Sequence, residues 1–210
     1  VTAEVVEAAT NLKIVVRAGA GFDNLDLAAC TAKGIVAMNT PGQNSNAVAE
    51  LALGLMIFMN RNHFTPGTGR ELKGKTIGIQ AYGNVGRLVG ALAMGFGMNV
   101  LAFDPYLTKE KIEATGAKVA DSLEDLYAKS DFVSLHIPAT DETKGSIGYD
   151  LVSKMPKGAC LINTARKEVI DEEGLIRIMS EREDLRYVAD VAPARADEFA
   201  EKFGTRFFAT

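Results

Sequence analysis

KTIGIQAYGNVGRLVGALAMGF, residues 75–96, decides how the rest of the chain is understood. KTIGIQ has the length and apolar character of a buried strand, AYGNVG is a glycine-bearing turn, and NVGRLVGALAMGF opens a helix whose small residues allow close packing on a sheet. In such a turn the second glycine lets backbone N–H groups approach a pyrophosphate at the helix N-terminus, and the third lets helix and strand pack closely. Gly83 and Gly86 hold those two positions, flanked by Tyr82, Asn84 and Val85. The first position is Ala81, which serves if its φ stays negative, since glycine is obligatory only where φ is positive.

The next strand, MNVLAF, ends at Asp104, 18 residues beyond Gly86. An acidic side chain there accepts hydrogen bonds from an adenosine ribose diol and repels a 2′-phosphate, so NAD is expected rather than NADP. The plainer alternative is an ordinary strand-to-helix turn with Asp104 as a turn residue before Pro105. Strand, turn, helix, second strand and terminal Asp in this order favour the dinucleotide.

Working outward, short apolar runs recur at LKIVV (12–16), GIVAM (34–38), DFVSLHI (131–137), ACLIN (159–163), RYVADV (186–191) and RFFA (206–209). Continuous apolar character is what parallel strands covered on both faces require. Helices are expected near 2–9, 46–61, 84–95, 122–129 and 171–182. The pattern is α/β, a doubly wound parallel sheet. Pro41 and Gly42 punctuate the chain at NTPGQNSN (39–46), which gives an expected division into residues 1–43, the remnant of a second domain, and 44–210, the nucleotide-binding domain with its preceding helix.

The totals narrow the function. A net charge of −4 from 23 basic and 27 acidic residues, with no basic cluster, argues against nucleic acid. Cys30 and Cys160 lie far apart in apolar segments with no metal-ligand spacing, so reduced core thiols of a cytoplasmic protein and no metal are expected. The longest apolar run, Ala47 to Met59, contains Glu50 and is too short to span a bilayer. No membrane partner is expected.

Further segments become legible together: RAGAGFDNLDL (17–27), NTPGQNSNAVAEL (39–51), SLHIPATDETKGSI (134–147), MPKGACLINTARKEVIDEEGL (155–175) and VADVAP (188–193). The combination resembles the D-isomer-specific 2-hydroxyacid dehydrogenases over about residues 10–193. The resemblance implies a Rossmann-type NAD-binding domain, a flavodoxin-like substrate domain present only in part, and a homodimer built on the coenzyme domains. It implies coenzyme contacts at Ala20, Tyr82 to Gly86, Asp104, Ile137, Pro138, Thr143, Thr164, Ala165, Arg166 and Asp190. The substrate it implies is a phosphorylated 2-hydroxy or 2-keto acid, with 3-phosphoglycerate oxidised to 3-phosphohydroxypyruvate on the way to serine. Another D-2-hydroxyacid, or a non-catalytic NAD(H)-binding dimer, are the competing functions.

Arg166 follows the strand ACLIN, and its planar fork of donors suits a carboxylate and an adjacent keto oxygen gaining charge. A surface ion pair with Glu168 or Asp171 is the alternative. In RAGAG, Ala18 and Gly19 offer backbone N–H groups as a nest for a carboxylate, and Arg17 adds charge for a phosphate. The family's catalytic trio is an arginine, a glutamate and a histidine; this sequence supplies only the first, since Asp197 and Glu198 are out of register for the second. His136 is expected to pack beside the coenzyme crevice and His63 to be solvated. The chain, which begins at Val1, is expected to be the core of a longer enzyme.

Overall fold

The computed structural model describes residues 1–210. Internal contacts divide the chain into two compact units, Val1–Ala47 and Val48–Thr210.

The first unit holds α1 (Ala3–Ala8), β1 (Ile14–Arg17), α2 (Leu27–Ala32) and β2 (Val36–Asn39). Thr2 and Asp26 cap the two helices by accepting from Val5 N and Ala29 N. β1 and β2 pair in parallel, Ile14 opposite Val36 through Arg17 opposite Asn39. One face of this pair, with Val15 and Ala37, packs on Val6, Cys30 and Ile35. The other face is open: Ile14, Val16, Val36 and Met38 are 50–60% exposed. Coverage on both faces, expected from the continuous apolar runs, is therefore absent for these two strands.

The helix α3 (Ser45–Asn60) leads into a seven-stranded, wholly parallel sheet. Its strands are β3 (Thr76–Gln80), β4 (Asn99–Phe103), β5 (Lys118–Val119), β6 (Phe132–Leu135), β7 (Cys160–Asn163), β8 (Arg186–Ala189) and β9 (Phe207–Ala209), in the order β5-β4-β3-β6-β7-β8-β9. The order reverses between β3 and β6, where an open α/β sheet leaves a ligand crevice at its carboxyl edge. Around it lie α4 (Asn84–Gly95), α5 (Lys109–Glu113), α6 (Leu123–Ala128), α7 (Tyr149–Val152), α8 (Glu172–Glu181) and α9 (Ala196–Phe203).

Alternating strand residues feed two cores. Val133, Leu135, Leu161 and Tyr187 join Leu126, Leu175 and Phe199, whereas Ile77, Ile79, Ile162 and Val188 join Met56, Val89 and Ala93. The runs read from the sequence lie within a residue or two of the observed strands. β5 has only two residues, at the sheet edge, and leaves no apolar run; α5, α7 and α9 are too short or too polar for a helical stripe to show. No helix is long and apolar enough to cross a membrane.

Two expectations about single residues are corrected. Ala81 has φ +69, so the first turn position does need the left-handed conformation that glycine adopts freely. His63 is half-buried rather than solvated. It belongs to a run of three left-handed residues, Asn62, His63 and Phe64, that ends α3, and its ring stacks on Phe58 with centroids 4.5 Å apart.

Candidate active site

The glycine turn joins β3 to α4 at the crevice. Gly83 precedes the helix, and no side chain caps its first turn, whereas α6 and α8 are capped by Ser122 and Asp171. The first N–H groups of α4 are thus left for an acceptor from outside the helix. A Cβ built on Gly83 would meet no atom within 4 Å, so the space above the helix end is open. A Cβ on Gly86 would lie 2.3 Å from the Ala81 carbonyl oxygen and 3.1 Å from Ile79. One glycine keeps the cradle clear and the other lets helix and strand touch.

The side chain of Tyr82 points away from this cradle. It is fully buried, its hydroxyl 3.0 Å from Thr115 Oγ1, and a Cβ on Gly90 would strike that hydroxyl at 2.5 Å. Only the backbone of Tyr82 is left to face a ligand. Asp104 accepts from Tyr82 N at 2.8 Å and from Tyr106 N at 2.9 Å, tying the end of β4 to the turn. Each carboxylate oxygen keeps a second lone pair for a hydroxyl donor. An uncapped helix end, an open glycine and an acidic residue at the neighbouring strand end fit the pyrophosphate and ribose of a dinucleotide.

The ends of β6, β7 and β8 bring the remaining sequence candidates of the second unit together. Asn163, 2% exposed, accepts from Ala165 N at 3.0 Å and donates to the Arg166 carbonyl at 3.0 Å, so one buried amide shapes the loop Thr164–Ala165–Arg166. Arg166 is half-buried and donates to the Ala165 carbonyl. Asp171, one of its two candidate ion partners by sequence, accepts from Gly174 N at the start of α8. Asp190 follows β8, donates its N–H to the Asn163 carbonyl, and accepts from the Thr210 hydroxyl at its own carbonyl. The N–H bond to Asn163 is 2.9 Å long.

After β6, Ile137 is buried and Pro138 exposed. Thr143 closes this loop, accepting from Thr140 N at 2.7 Å while its hydroxyl donates to the Pro138 carbonyl. His136 lies between Ser134 Oγ, 2.9 Å from Nε2, and Thr164 Oγ1, 3.4 Å from Nδ1. Burial pushes its imidazole down to about 4, so it is neutral at physiological pH. Glu198 is held by Arg195 and Lys202 at 2.7 and 2.8 Å, and Asp197 precedes it in α9. The loop before α9 is instead fixed by Glu172, which accepts from Ala194 N and Arg195 N.

In the first unit, the Arg17 guanidinium folds back over Gly19, where a Cβ would lie 1.5 Å from Nη1. Gly19 N–H donates to the Arg17 carbonyl at 2.9 Å, and the Ala20 carbonyl accepts from Asn39 Nδ2 at 2.8 Å. Ala18 and Ala20 are exposed. No group of His, Cys, Asp and Glu side chains is disposed to hold a metal ion.

The fold and the turn define a dinucleotide-binding domain of Rossmann type. A family model described as "D-isomer specific 2-hydroxyacid dehydrogenase, NAD binding domain" matches residues 53–203, and the chain belongs to that family and carries its NAD-binding domain. It is 39% identical over 194 residues to D-3-phosphoglycerate dehydrogenase of Methanocaldococcus jannaschii, covering 86% of this chain and 37% of that protein. It is 41% identical over 189 residues to hydroxypyruvate reductase of Thermotoga maritima, covering 83% of this chain and 60% of that protein. The crystal structure of NAD+-bound 3-phosphoglycerate dehydrogenase from Entamoeba histolytica superposes with a TM-score of 0.92 at 51% identity, covering all of this chain and 67% of that one. The chain thus spans little more than a third of the first of these curated relatives.

Proposed function

We propose that the chain is the coenzyme-binding core of an NAD-dependent dehydrogenase that interconverts 3-phosphoglycerate and 3-phosphohydroxypyruvate. The observation that carries this reading is the loop after β7, where the buried Asn163 amide holds the Ala165 N–H and the Arg166 carbonyl and so fixes the backbone on both sides of Arg166. Similarity to a 3-phosphoglycerate dehydrogenase along the whole chain supports the substrate.

In this reading the N–H groups of Gly83 to Gly86, with Asn84 and Val85, take the pyrophosphate, and Asp104 takes the ribose diol. Ile137, Pro138, Thr143, Thr164, Ala165 and Asp190 line the nicotinamide end. NAD supplies the hydride acceptor in the oxidative direction. Arg166 binds the substrate carboxylate and the adjacent C2 oxygen, which holds the reacting carbon in place and stabilises charge on that oxygen. Within the first unit, the Ala18 N–H and the Arg17 guanidinium are the groups that suit a carboxylate or phosphate, since the Gly19 N–H is taken by the Arg17 carbonyl. His136, neutral and engaged by two hydroxyls, is not the group that moves the substrate proton. The functional assembly is a homodimer paired through the coenzyme domain, in the cytoplasm.

The test is NADH oxidation by the intact protein with 3-phosphohydroxypyruvate, hydroxypyruvate and pyruvate compared. Arg166→Ala is expected to lower kcat/KM by about 10² to 10³ while NADH still binds. Faster turnover of hydroxypyruvate or pyruvate would replace the phosphorylated substrate with another 2-keto acid, and an undiminished variant would remove Arg166 from the mechanism.

A further inference from the structure

At the edge of the seven-stranded sheet opposite the coenzyme crevice, a cavity of about 300 Å3 opens where β8 and β9 begin. Three arginines, Arg70, Arg186 and Arg206, line it together with Glu183 and Asp184. Arg186 donates to the carbonyls of Met59 and Gly158, both at 3.0 Å, and Arg70 reaches the same Gly158 carbonyl at 3.5 Å. Two guanidinium groups therefore share one acceptor. Gly158, at φ +80, makes the approach possible, since a Cβ there would lie 2.8 Å from Arg70 Nη1. Arg206 is held on the same wall through the Met179 and Arg182 carbonyls, at 2.9 and 3.2 Å.

The charges on this wall are unequal. Asp184 is neutralised by Arg182 at 2.6 Å and accepts from Gly158 N at 2.7 Å, which together keep its carboxyl near 2. Glu183 is exposed. Arg177, Arg182 and Arg195 are each paired with a carboxylate, but Arg70, Arg186 and Arg206 spend their bonds on backbone carbonyls, which leave the positive charge in place. Clustered guanidinium groups with donors to spare are the chemistry that holds a tetrahedral dianion.

We propose that this cavity is a binding site for a phosphate dianion, free or as the head of a small monoester, separate from the coenzyme and substrate sites. Because the glycine turn and Arg17 are also anion-seeking, the test must report position. With NADH present, inorganic phosphate and glycerol phosphate are titrated in turn against the protein at constant ionic strength, following the Nε–H signals of Arg186 and Arg206 by NMR. Saturable shifts of these signals, weakened about tenfold in Arg70→Gln and strengthened severalfold in Glu183→Gln, are expected. The tighter of the two ligands identifies the source. Arg70 is exposed and holds one long bond, so its variant is expected to fold as the parent does. Shifts that chloride reproduces, that do not saturate, or that are unchanged in Arg70→Gln would overturn the site.

Discussion

At the scale of single residues, the turn 81–86 separates three kinds of backbone demand. Gly83→Ala adds a methyl to open space, so stability falls by no more than about 1 kcal/mol while NADH affinity drops at least tenfold. Gly86→Ala drives a methyl into the Ala81 carbonyl and costs about 2 kcal/mol in a urea titration. Ala81→Gly relieves a left-handed alanine and raises stability by about 0.5 to 1 kcal/mol. If all three variants moved stability alike, the division of labour would be wrong. His136 carries a pH dependence whose sign follows from its lowered pKa. The unfolded chain binds a proton near 6.5 that the folded one refuses until about pH 4, so this contribution is complete above 6.5 and is lost as pH falls toward 4. Between pH 7 and 4.5 the parent should lose about 2 kcal/mol more than His136→Gln in urea unfolding. Gly83, Gly86 and Asp104 stood out in the sequence because residue type and spacing are themselves the signal. Asn163 did not, since an asparagine at a strand end is an ordinary turn residue until its two hydrogen bonds around Arg166 are seen. Nor did the strain at Ala81, because alanine carries no mark of a positive φ.

At the scale of elements, Asp104 is a tie as well as the proposed acceptor for the ribose diol. Its two oxygens join the end of β4 to the turn between β3 and α4 and to the bend after Pro105. Asp104→Asn replaces one acceptor by a donor that faces an N–H, so it should cost about 1 to 2 kcal/mol of stability and weaken NADH binding together. Fluorescence titration with NADH and thermal unfolding of the same variant check both halves. A loss of affinity with unchanged stability would mean that the tie contributes nothing. The strands of this region were legible because a strand buried on both faces has to be apolar throughout. The same rule misled at β1 and β2, whose apolar residues on one face meet no cover in this chain. Elements with neither a stripe nor a run, such as β5 and α9, are made by their neighbours, α9 by the Phe199 ring packed on Tyr187 and Phe207 and by Phe203 packed on Phe199.

At the scale of the whole molecule, the two units differ in what they can sustain alone. Val48–Thr210 contains the complete seven-stranded sheet with a core on each face, together with the glycine turn, Asp104 and the loops after β6, β7 and β8 that are proposed to hold the coenzyme. Val1–Ala47 buries only Val6, Cys30 and Ile35 as its own core and leaves an apolar sheet face in water. A chain of that length with so small a core does not offset its conformational entropy. The piece 45–210, which keeps α3 whole, should therefore unfold in one cooperative transition with the urea midpoint of the longer chain, and should bind NADH with unchanged affinity. The piece 1–44 should show no cooperative transition by circular dichroism. A lower midpoint or a weakened NADH site in 45–210 would show that the coenzyme unit depends on the first unit for its own structure, which its continuous sheet and paired cores argue against.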